Sequence, residues 1–342
     1  MADSEVSDRW RDVFGFDEPY DNQADAIESA IQVGRANGYL AMEGPCGTGK
    51  TMAALTAGAH LVRETDQYDN VVVITPVKQQ LQQFVADLRT LNADLQTPLA
   101  GVALVGKRDL CPYEQVGAFP DDVGVHDRCE DLREATADLV DTSEDAAEYD
   151  PGPPATEAKL RLGQPEDRWW DPQTALDLVT EARLNADTYQ SFGDAIELAG
   201  VEAPYPRAQP QAPDALTEST DPPLYCPFEA DWYARDKGSP VGFTDGKHHV
   251  ITSETFLPEA TARGTCPHRA MGVLLQHADV VIGNYNHLFD PDTRPLLEPI
   301  LNESTFVIID EAHRLESRVR DLQSETIGRQ SLQQARGDCD RL

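Results

Sequence analysis

Apolar residues recur at helical spacing from Asn22 to Gly34, and Gly38 to Glu43 then reads as a short strand feeding a glycine-rich turn. A helix is expected from Lys50 toward Val62. Val71 to Ile74 is an unbroken apolar run, the pattern of a strand buried on both faces, and beyond Thr75 and Pro76 a Gln-rich helix runs to about Leu91. Val102 to Val105 predicts a further strand. From Cys111 to about Tyr225 the pattern fails: the sequence is acidic, with Pro-rich stretches at 150–154 and 203–223. A helix is expected within it from Thr174 to Leu198, but there is no repeat or heptad. Strand patterning resumes at Asp279 to Ile282 and Phe306 to Ile309. Strands alternating with helices imply an α/β fold with a parallel, doubly wound sheet, its two halves flanking an insert.

The glycine-rich turn gives the first half of the pattern a chemistry. Gly44-Pro45-Cys46-Gly47-Thr48-Gly49-Lys50-Thr51 fits G-x-x-x-x-G-K-[ST] between an expected strand and an expected helix, the context a P-loop requires. Glycines let successive backbone N–H groups converge on phosphate oxygens, and a helix N-terminus adds partial positive charge. Lys50 is expected to neutralise the β- and γ-phosphates of ATP, and the Thr51 hydroxyl to ligate Mg2+. Cys46 occupies a variable position of the loop and is read as a small tolerated side chain.

The last apolar run ends in Asp310-Glu311-Ala312-His313. Open parallel sheets gather reactive groups at the carboxyl ends of their strands, so this strand should deliver its acids beside the P-loop. Asp310 is then expected to hold Mg2+ through water, and Glu311 to position or deprotonate the attacking water. A strand followed by Asp-Glu is common turn chemistry by itself; the P-loop gives it meaning.

Composition bears on partners. The chain carries 60 Asp and Glu against 28 Lys and Arg in 342 residues, a formal charge of -32. Such a balance opposes phosphate binding, which is driven by basic side chains. The acids are spread along the whole chain, however, and arginine outnumbers lysine. We read the charge as salt adaptation, because molar salt cuts the Debye length to about 3 Å, with an ordinary acidic protein as the alternative. Residues 1–5 lack the basic and apolar parts of a signal peptide, and no stretch is long and apolar enough to span a bilayer, so a cytoplasmic location without membrane partners is expected. Six cysteines in a reducing compartment favour metal or cluster ligation over disulfides.

The two nucleotide motifs resemble those of superfamily 2 helicases of the DEAH type. More narrowly, Phe14 to about Ser317 resembles the first motor domain of the iron–sulfur helicases of the XPD and DinG type. Pro19-Tyr20-Asp21-Asn22-Gln23 is similar to that family's adenine-recognising segment, with Gln23 as its glutamine. Cys266-Pro267-His268-Arg269-Ala270 and the segment Ala278 to Phe289 resemble its last cluster cysteine and the strand leading toward the DEAH box. The resemblance implies a P-loop NTPase, RecA-like parallel sheet with an inserted, irregular iron–sulfur domain. It divides the chain into motor-domain segments at 1–108 and 269–320, a cluster domain at 109–268, and an accessory domain or tail at 321–342. ATP contacts then fall to Gln23, Gly44, Gly47, Thr48, Gly49, Lys50, Thr51, Asp310, Glu311 and His313.

The resemblance further implies that Cys111, Cys129, Cys226 and Cys266 ligate a [4Fe–4S] cluster. The residues alone show that Cys111, Cys226 and Cys266 each precede a proline, as a ferredoxin ligand does, and that no C-x-x-C pair occurs; zinc and buried free thiols stay open. Cys339 has no counterpart and is expected to be free. Two features depart from the family: a longer acidic stretch between Cys129 and Cys226, and no arginine after Ile74 to meet DNA phosphate. Thr75, Lys78 and Gln79 are the candidate contacts in its place, with a helix cap and a solvated face as the alternative.

The expected activity is that of an ATP-dependent DNA helicase acting on single-stranded and duplex DNA, moving 5′ to 3′ in repair or recombination. About thirty residues follow His313, too few for the second motor domain that would supply an arginine finger, so the chain is expected to be part of a motor. A non-motor module that binds ATP and a cluster for a partner subunit is the alternative.

Overall fold

In a computed structural model, the structure describes residues 9–115, 125–141, 226–234, 237–243, 249–291, 293–322 and 324. The expected helix from Thr174 to Leu198, the Pro-rich stretches, Cys339 and most of the 321–342 tail lie outside these residues.

Five parallel strands form one sheet: β1 (Asn70–Thr75), β2 (Gly101–Ala103), β3 (Val250–Ile251), β4 (Val280–Asn284) and β5 (Thr305–Ile309), in the order β3-β2-β4-β1-β5. In chain order the helices are α1 (Gln23–Arg35), α2 (Lys50–Glu64), α3 (Lys78–Ala93), α4 (Lys107–Leu110), α5 (Pro112–Gln115), α6 (Val125–Asp141), α7 (Pro227–Ala234), α8 (Ser253–Ala262), α9 (Pro267–Leu275), α10 (Tyr285–Phe289) and α11 (Leu315–Leu322). The sheet is α/β and doubly wound, as expected.

Strand alternation sorts the core into two layers. Val71, Val73, Val280 and Ile282 face α2 and α3, packing with Leu55, Ala59, Leu81, Phe84 and Leu88. Val72, Ile74, Val102 and Val281 face the other way, onto Phe256, Met271, Leu274 and Tyr285 of α8, α9 and α10. A third cluster, including Trp10, Phe14, Ile27, Ile31 and Leu61, closes α1 onto α2. Helix α2 lies very close to the sheet at Gly58, where a Cβ would come within 2.9 Å of Val71 Cγ2 and 3.1 Å of Phe306 Cδ1. A small residue is needed there for contact, not for backbone freedom.

Two expectations about strands are corrected. The strand expected over 38–43 does not form: the segment is unpaired, with Tyr39 and Leu40 exposed. β5 pairs only with β1, so no described strand lies beside this segment, and an apolar stretch without a neighbour has no ladder to join. The strand expected at Val102 to Val105 is instead Gly101–Ala103, although Leu104 and Val105 remain buried. The pattern also missed β3 and the helices α6, α7 and α8 within or bordering the insert.

His287 of α10 is buried, and its Nδ1 accepts the Asn284 N–H at 3.1 Å, closing the turn that follows β4. Burial pushes its pKa down from 6.5 to about 4, against a smaller upward pull from Asp290. The unfolded chain therefore binds this proton before the folded chain does, so stability present above pH 6.5 is lost as pH falls toward 4. We predict that the fall in denaturation midpoint over that window, at fixed salt, is shallower in His287→Asn than in the natural chain. Gly58→Leu should wedge α2 off the sheet and lower unfolding free energy by about 1–3 kcal/mol in a denaturant titration.

Candidate nucleotide and cysteine sites

The P-loop leads directly into α2. Gly47 and Gly49 hold φ of 80° and 76°, the left-handed region that L side chains rarely adopt, and Gly49 is the residue before the helix. Lys50 Nζ donates to the carbonyls of Gly44 at 2.7 Å and Pro45 at 2.8 Å, so the ammonium sits across the loop's own hollow. Thr48 Oγ1 donates to Pro45 O at 2.9 Å, and Thr51 occupies the first turn of α2, partly exposed. A phosphate would take the place of the carbonyls on Lys50 and meet the first N–H groups of a 15-residue helix.

Gln23 is buried and already committed on both sides of its amide. Its Oε1 accepts the Tyr20 N–H and its Nε2 donates to Gly49 O, each at 2.9 Å. It thus ties the segment before α1 to the base of the P-loop, and a Cβ on Gly49 would meet its Nε2 at 2.3 Å.

Parallel pairing of β5 with β1 brings the acids to this edge. Asp310 N donates to Ile74 O at 2.9 Å, extending the ladder by one bond. Burial raises the Asp310 pKa above its ordinary value, the adjacent Glu311 adds to this, and the charge of Lys50 opposes it. Lys50 and Asp310 thus act on each other across the end of the sheet. Glu311 adopts φ 50° and ψ 41°, a left-handed conformation uncommon outside glycine, asparagine and aspartate. His313 Nδ1 lies 3.2 Å from Glu311 Oε2, with most of its side chain exposed.

Two side chains that sequence patterning did not single out hold this turn. Tyr285 Oη donates to the backbone carbonyls of Asp310 at 2.5 Å and Glu311 at 3.1 Å, bracing the strained turn from α10. Burial, then Asp310 and Glu311, push its phenol up to about 12, so it stays a donor at neutral pH. Gln80 Nε2 donates to Glu311 Oε1 at 3.2 Å. Gln80 belongs to α3, the helix that carries the candidate DNA contacts. Of those, Gln79 is exposed and Lys78 pairs with Asp109 at 3.1 Å. Thr75 is different: it is fully buried and its hydroxyl donates to Val77 O, so it neither meets solvent nor caps α3.

The four cysteines implied by the family resemblance come together. Cys111, Cys129, Cys226 and Cys266 all line one cavity of about 30 Å³, with Lys107, Arg133, Glu229 and His268 also in its wall. Each comes from a different element: Cys111 ends α4, Cys129 lies in α6, Cys226 precedes α7 and Cys266 precedes α9. None of the four is in a disulfide, and Cys46 is exposed in the P-loop. Burial raises the thiol pKa of Cys129, of Cys226 well above the usual value, and of Cys266 to about 11, with Glu229 also raising Cys266. Any thiolate-binding group must therefore displace protons from these sulfurs.

Among the described residues, no three or more His, Cys, Asp or Glu side chains are grouped to hold a metal ion. Four thiolates on a single tetrahedral zinc stand only about 3.8 Å apart, given Zn–S bonds of about 2.3 Å. A cluster with one thiolate on each iron needs a wider set. Arg133 Nε and Glu229 Oε2, both buried beside the cavity, face each other at 3.4 Å as an ion pair without hydrogen-bond geometry. A buried guanidinium in the wall of a cavity lined by four cysteines suits an anionic group such as a thiolate-ligated cluster. Four cysteines from four elements are the type of donor set such a group takes.

Comparison with known proteins follows the same outline. The DEAD_2 family model matches residues 75–332, and the DEAD/DEAH box helicase model matches residues 20–114. The Fanconi anemia group J protein homolog of Gallus gallus is 37% identical over 75 residues, 22% of this chain and 6% of that protein. The General transcription and DNA repair factor IIH helicase subunit XPD of Arabidopsis thaliana is 26% identical over 93 residues, 27% of this chain and 12% of that protein. The chain thus matches only a small part of each relative's length. No helix among the described residues is long and apolar enough to cross a membrane.

If Gln80 orients Glu311, Gln80→Ala should slow magnesium-dependent nucleotide turnover about five- to tenfold, the worth of one orienting hydrogen bond, with KM unchanged. An equal rise in KM instead would mean that Gln80 serves nucleotide binding.

Proposed function

The chain belongs to the DEAD_2 family, and on that premise we propose that it is the nucleotide-hydrolysing motor domain of an ATP-dependent DNA helicase. The observation that carries this reading is the P-loop, with Lys50 across its hollow, at the same end of the sheet as Asp310, whose carboxyl feels the charge of Lys50, and with Glu311 held there by Gln80. In the proposed reaction Lys50 leaves the Gly44 and Pro45 carbonyls for the β- and γ-phosphates, while the P-loop N–H groups cradle them. Thr51 and Asp310 hold Mg2+, and Glu311 orients the attacking water. Gln23 fixes the wall on which the adenine would rest, and His313 belongs to the same nucleotide site. A second motor domain closes the cleft and supplies an arginine.

Lys78 and Gln79 are the proposed phosphate contacts of DNA, and their helix also bears Gln80, which touches Glu311. Occupying one end of α3 can thus bear on the acid at the nucleotide. Movement 5′ to 3′, a role in repair or recombination, and a salt-adapted cytoplasmic setting complete the proposal; the -32 charge supports the last.

Cys111, Cys129, Cys226 and Cys266 would hold a [4Fe–4S] cluster. Such a group would join four chain segments covalently and supply one-electron redox chemistry. The chain's own contribution is to bring the sulfurs round one cavity and place Arg133 against the thiolates.

These assignments are tested at molar salt. Lys50→Ala should abolish nucleotide turnover, and DNA should stimulate hydrolysis once a second motor domain is supplied. A normal rate in Lys50→Ala overturns the P-loop assignment, and no stimulation with or without the second domain overturns the helicase reading. Anaerobically prepared protein should contain iron and acid-labile sulfide in equal amounts; stoichiometric zinc would overturn the cluster.

A further inference from the structure

Three of the cysteine-bearing segments share a feature that the cysteine pattern does not require. Cys129 is followed at i+4 by Arg133, Cys226 at i+3 by Glu229, and Cys266 at i+3 by Arg269. On a helix those spacings put the second residue on the face of the first. The three charges meet. Glu229 Oε1 lies 2.7 Å from Arg269 Nη2 and accepts from Arg269 Nε at 2.7 Å, while Glu229 Oε2 lies 3.4 Å from Arg133 Nε. The Glu229 side chain is 1% exposed and that of Arg133 9%. Arg133 Nη2 also contacts His268 Nδ1 at 3.2 Å, and the Arg269 guanidinium stacks 4.5 Å over the Trp232 ring of α7.

Backbone bonds follow the same path. Cys226 N donates to Thr136 Oγ1 of α6, and Cys266 N donates to Phe228 O of α7, each at 3.0 Å. The helices α6, α7 and α9 are therefore linked in pairs beside each sulfur.

A buried ion network is a poor device for stability, since well-packed apolar residues serve as well or better. The ion pairs around the cavity set three cations, Lys107, Arg133 and Arg269, against two carboxylates, Glu130 and Glu229, which leaves a surplus positive charge among them. That surplus is costly beside neutral thiols and favourable beside thiolates. We propose that Arg133, Glu229 and Arg269 form a charged brace that sets three cysteine helices in register before loading, and that Arg133 stabilises the anionic iron–sulfur group once bound. The proposal rests on the cysteine reading given above. Arg133 acts here as a positioning residue: its Nε lies 3.4 Å from Glu229 Oε2, and its guanidinium lines the cavity beside the group whose negative charge grows on reduction.

The test compares the natural chain with Arg133→Met and Arg133→Lys at molar salt. Arg133→Met should weaken iron and sulfide uptake on anaerobic reconstitution about tenfold or more, the usual effect of losing an outer-shell partner. The cluster that does form should have a more negative midpoint potential, because a cation favouring the reduced form is gone. Arg133→Lys should keep the potential near that of the natural chain. In unloaded protein, Cys226 and Cys266 should alkylate faster in both variants than in the natural chain, because neither retains the planar guanidinium that spans Glu229 and His268. Nucleotide binding at the P-loop, far along the chain from the brace, should be unchanged and reports an intact fold.

Equal uptake and equal potential in the natural chain and Arg133→Met would overturn the electrostatic role. Equal alkylation rates would overturn the brace. A natural chain that takes up no iron or sulfide would overturn the cluster reading and the electrostatic role with it, while the alkylation rates still decide the brace. Should Arg133→Met fail to fold, Arg133→Lys carries the test through its alkylation rates alone.

Discussion

The nucleotide site depends on the parallel pairing of β5 with β1. Gln80 and Glu311 are 231 positions apart and meet across a single hydrogen bond. No local preference can bring them together; the register Val71 with Phe306 through Ile74 with Ile309 does. That register is fixed from both faces. Phe306 points into the α1 and α2 layer against Gly34, Gly58 and Tyr68, and Ile309 packs on the opposite cluster. A slip by one residue would turn Phe306 out to solvent and carry the acids away from Lys50, so the packing that selects the register also sets the site.

A different constraint governs the cysteines. They lie on four elements, of which α9 reaches the core of the sheet through Met271, Leu274 and Leu275, and α4 through Leu110. The segments α6 and α7 bury Leu132 and Phe228 beside the cavity, and more than apolar contact positions them near Cys266. Charged and backbone contacts do this, and their directionality matters, because apolar packing tolerates a sliding helix whereas a guanidinium on a buried carboxylate does not. Lys107, paired with Glu130 next to Cys129, ties the fourth segment into the same frame.

Much of this was legible in the sequence where the signal is local. The runs Val71 to Ile74 and Phe306 to Ile309, the P-loop glycines and the boundaries of α1 and α2 follow from periodicity and backbone chemistry, and the structure reproduces them. Segment 38–43 failed for a physical reason: its apolar residues state a preference, but a strand exists only with a partner. Thr75 was misread because a hydroxyl after a strand can bond its own turn as readily as a ligand. Gln80, Tyr285 and the ion brace carry no motif. The i+3 and i+4 spacing of Arg133, Glu229 and Arg269 from their cysteines was present in the chain, yet it acquires meaning only when three helices converge.

The acidity of the chain bears on how such a domain could hold DNA. Basic groups near the candidate contacts are already matched to carboxylates: Lys78 to Asp109, Lys107 to Glu130 and Arg108 to Glu114. In dilute salt a phosphate must displace those partners while repelled by the net charge. In molar salt the exposed Lys78–Asp109 pair is worth little, since screening reduces interactions beyond about 3 Å, and the long-range repulsion vanishes with it. Salt then removes the obstacle along with the steering. Binding under those conditions must come from contact-range hydrogen bonds and stacking, whose strength hardly depends on the charge of the rest of the surface. An acidic exterior and a nucleic-acid partner are therefore compatible in a salt-adapted protein, which forgoes the electrostatic capture that basic proteins use in dilute solution.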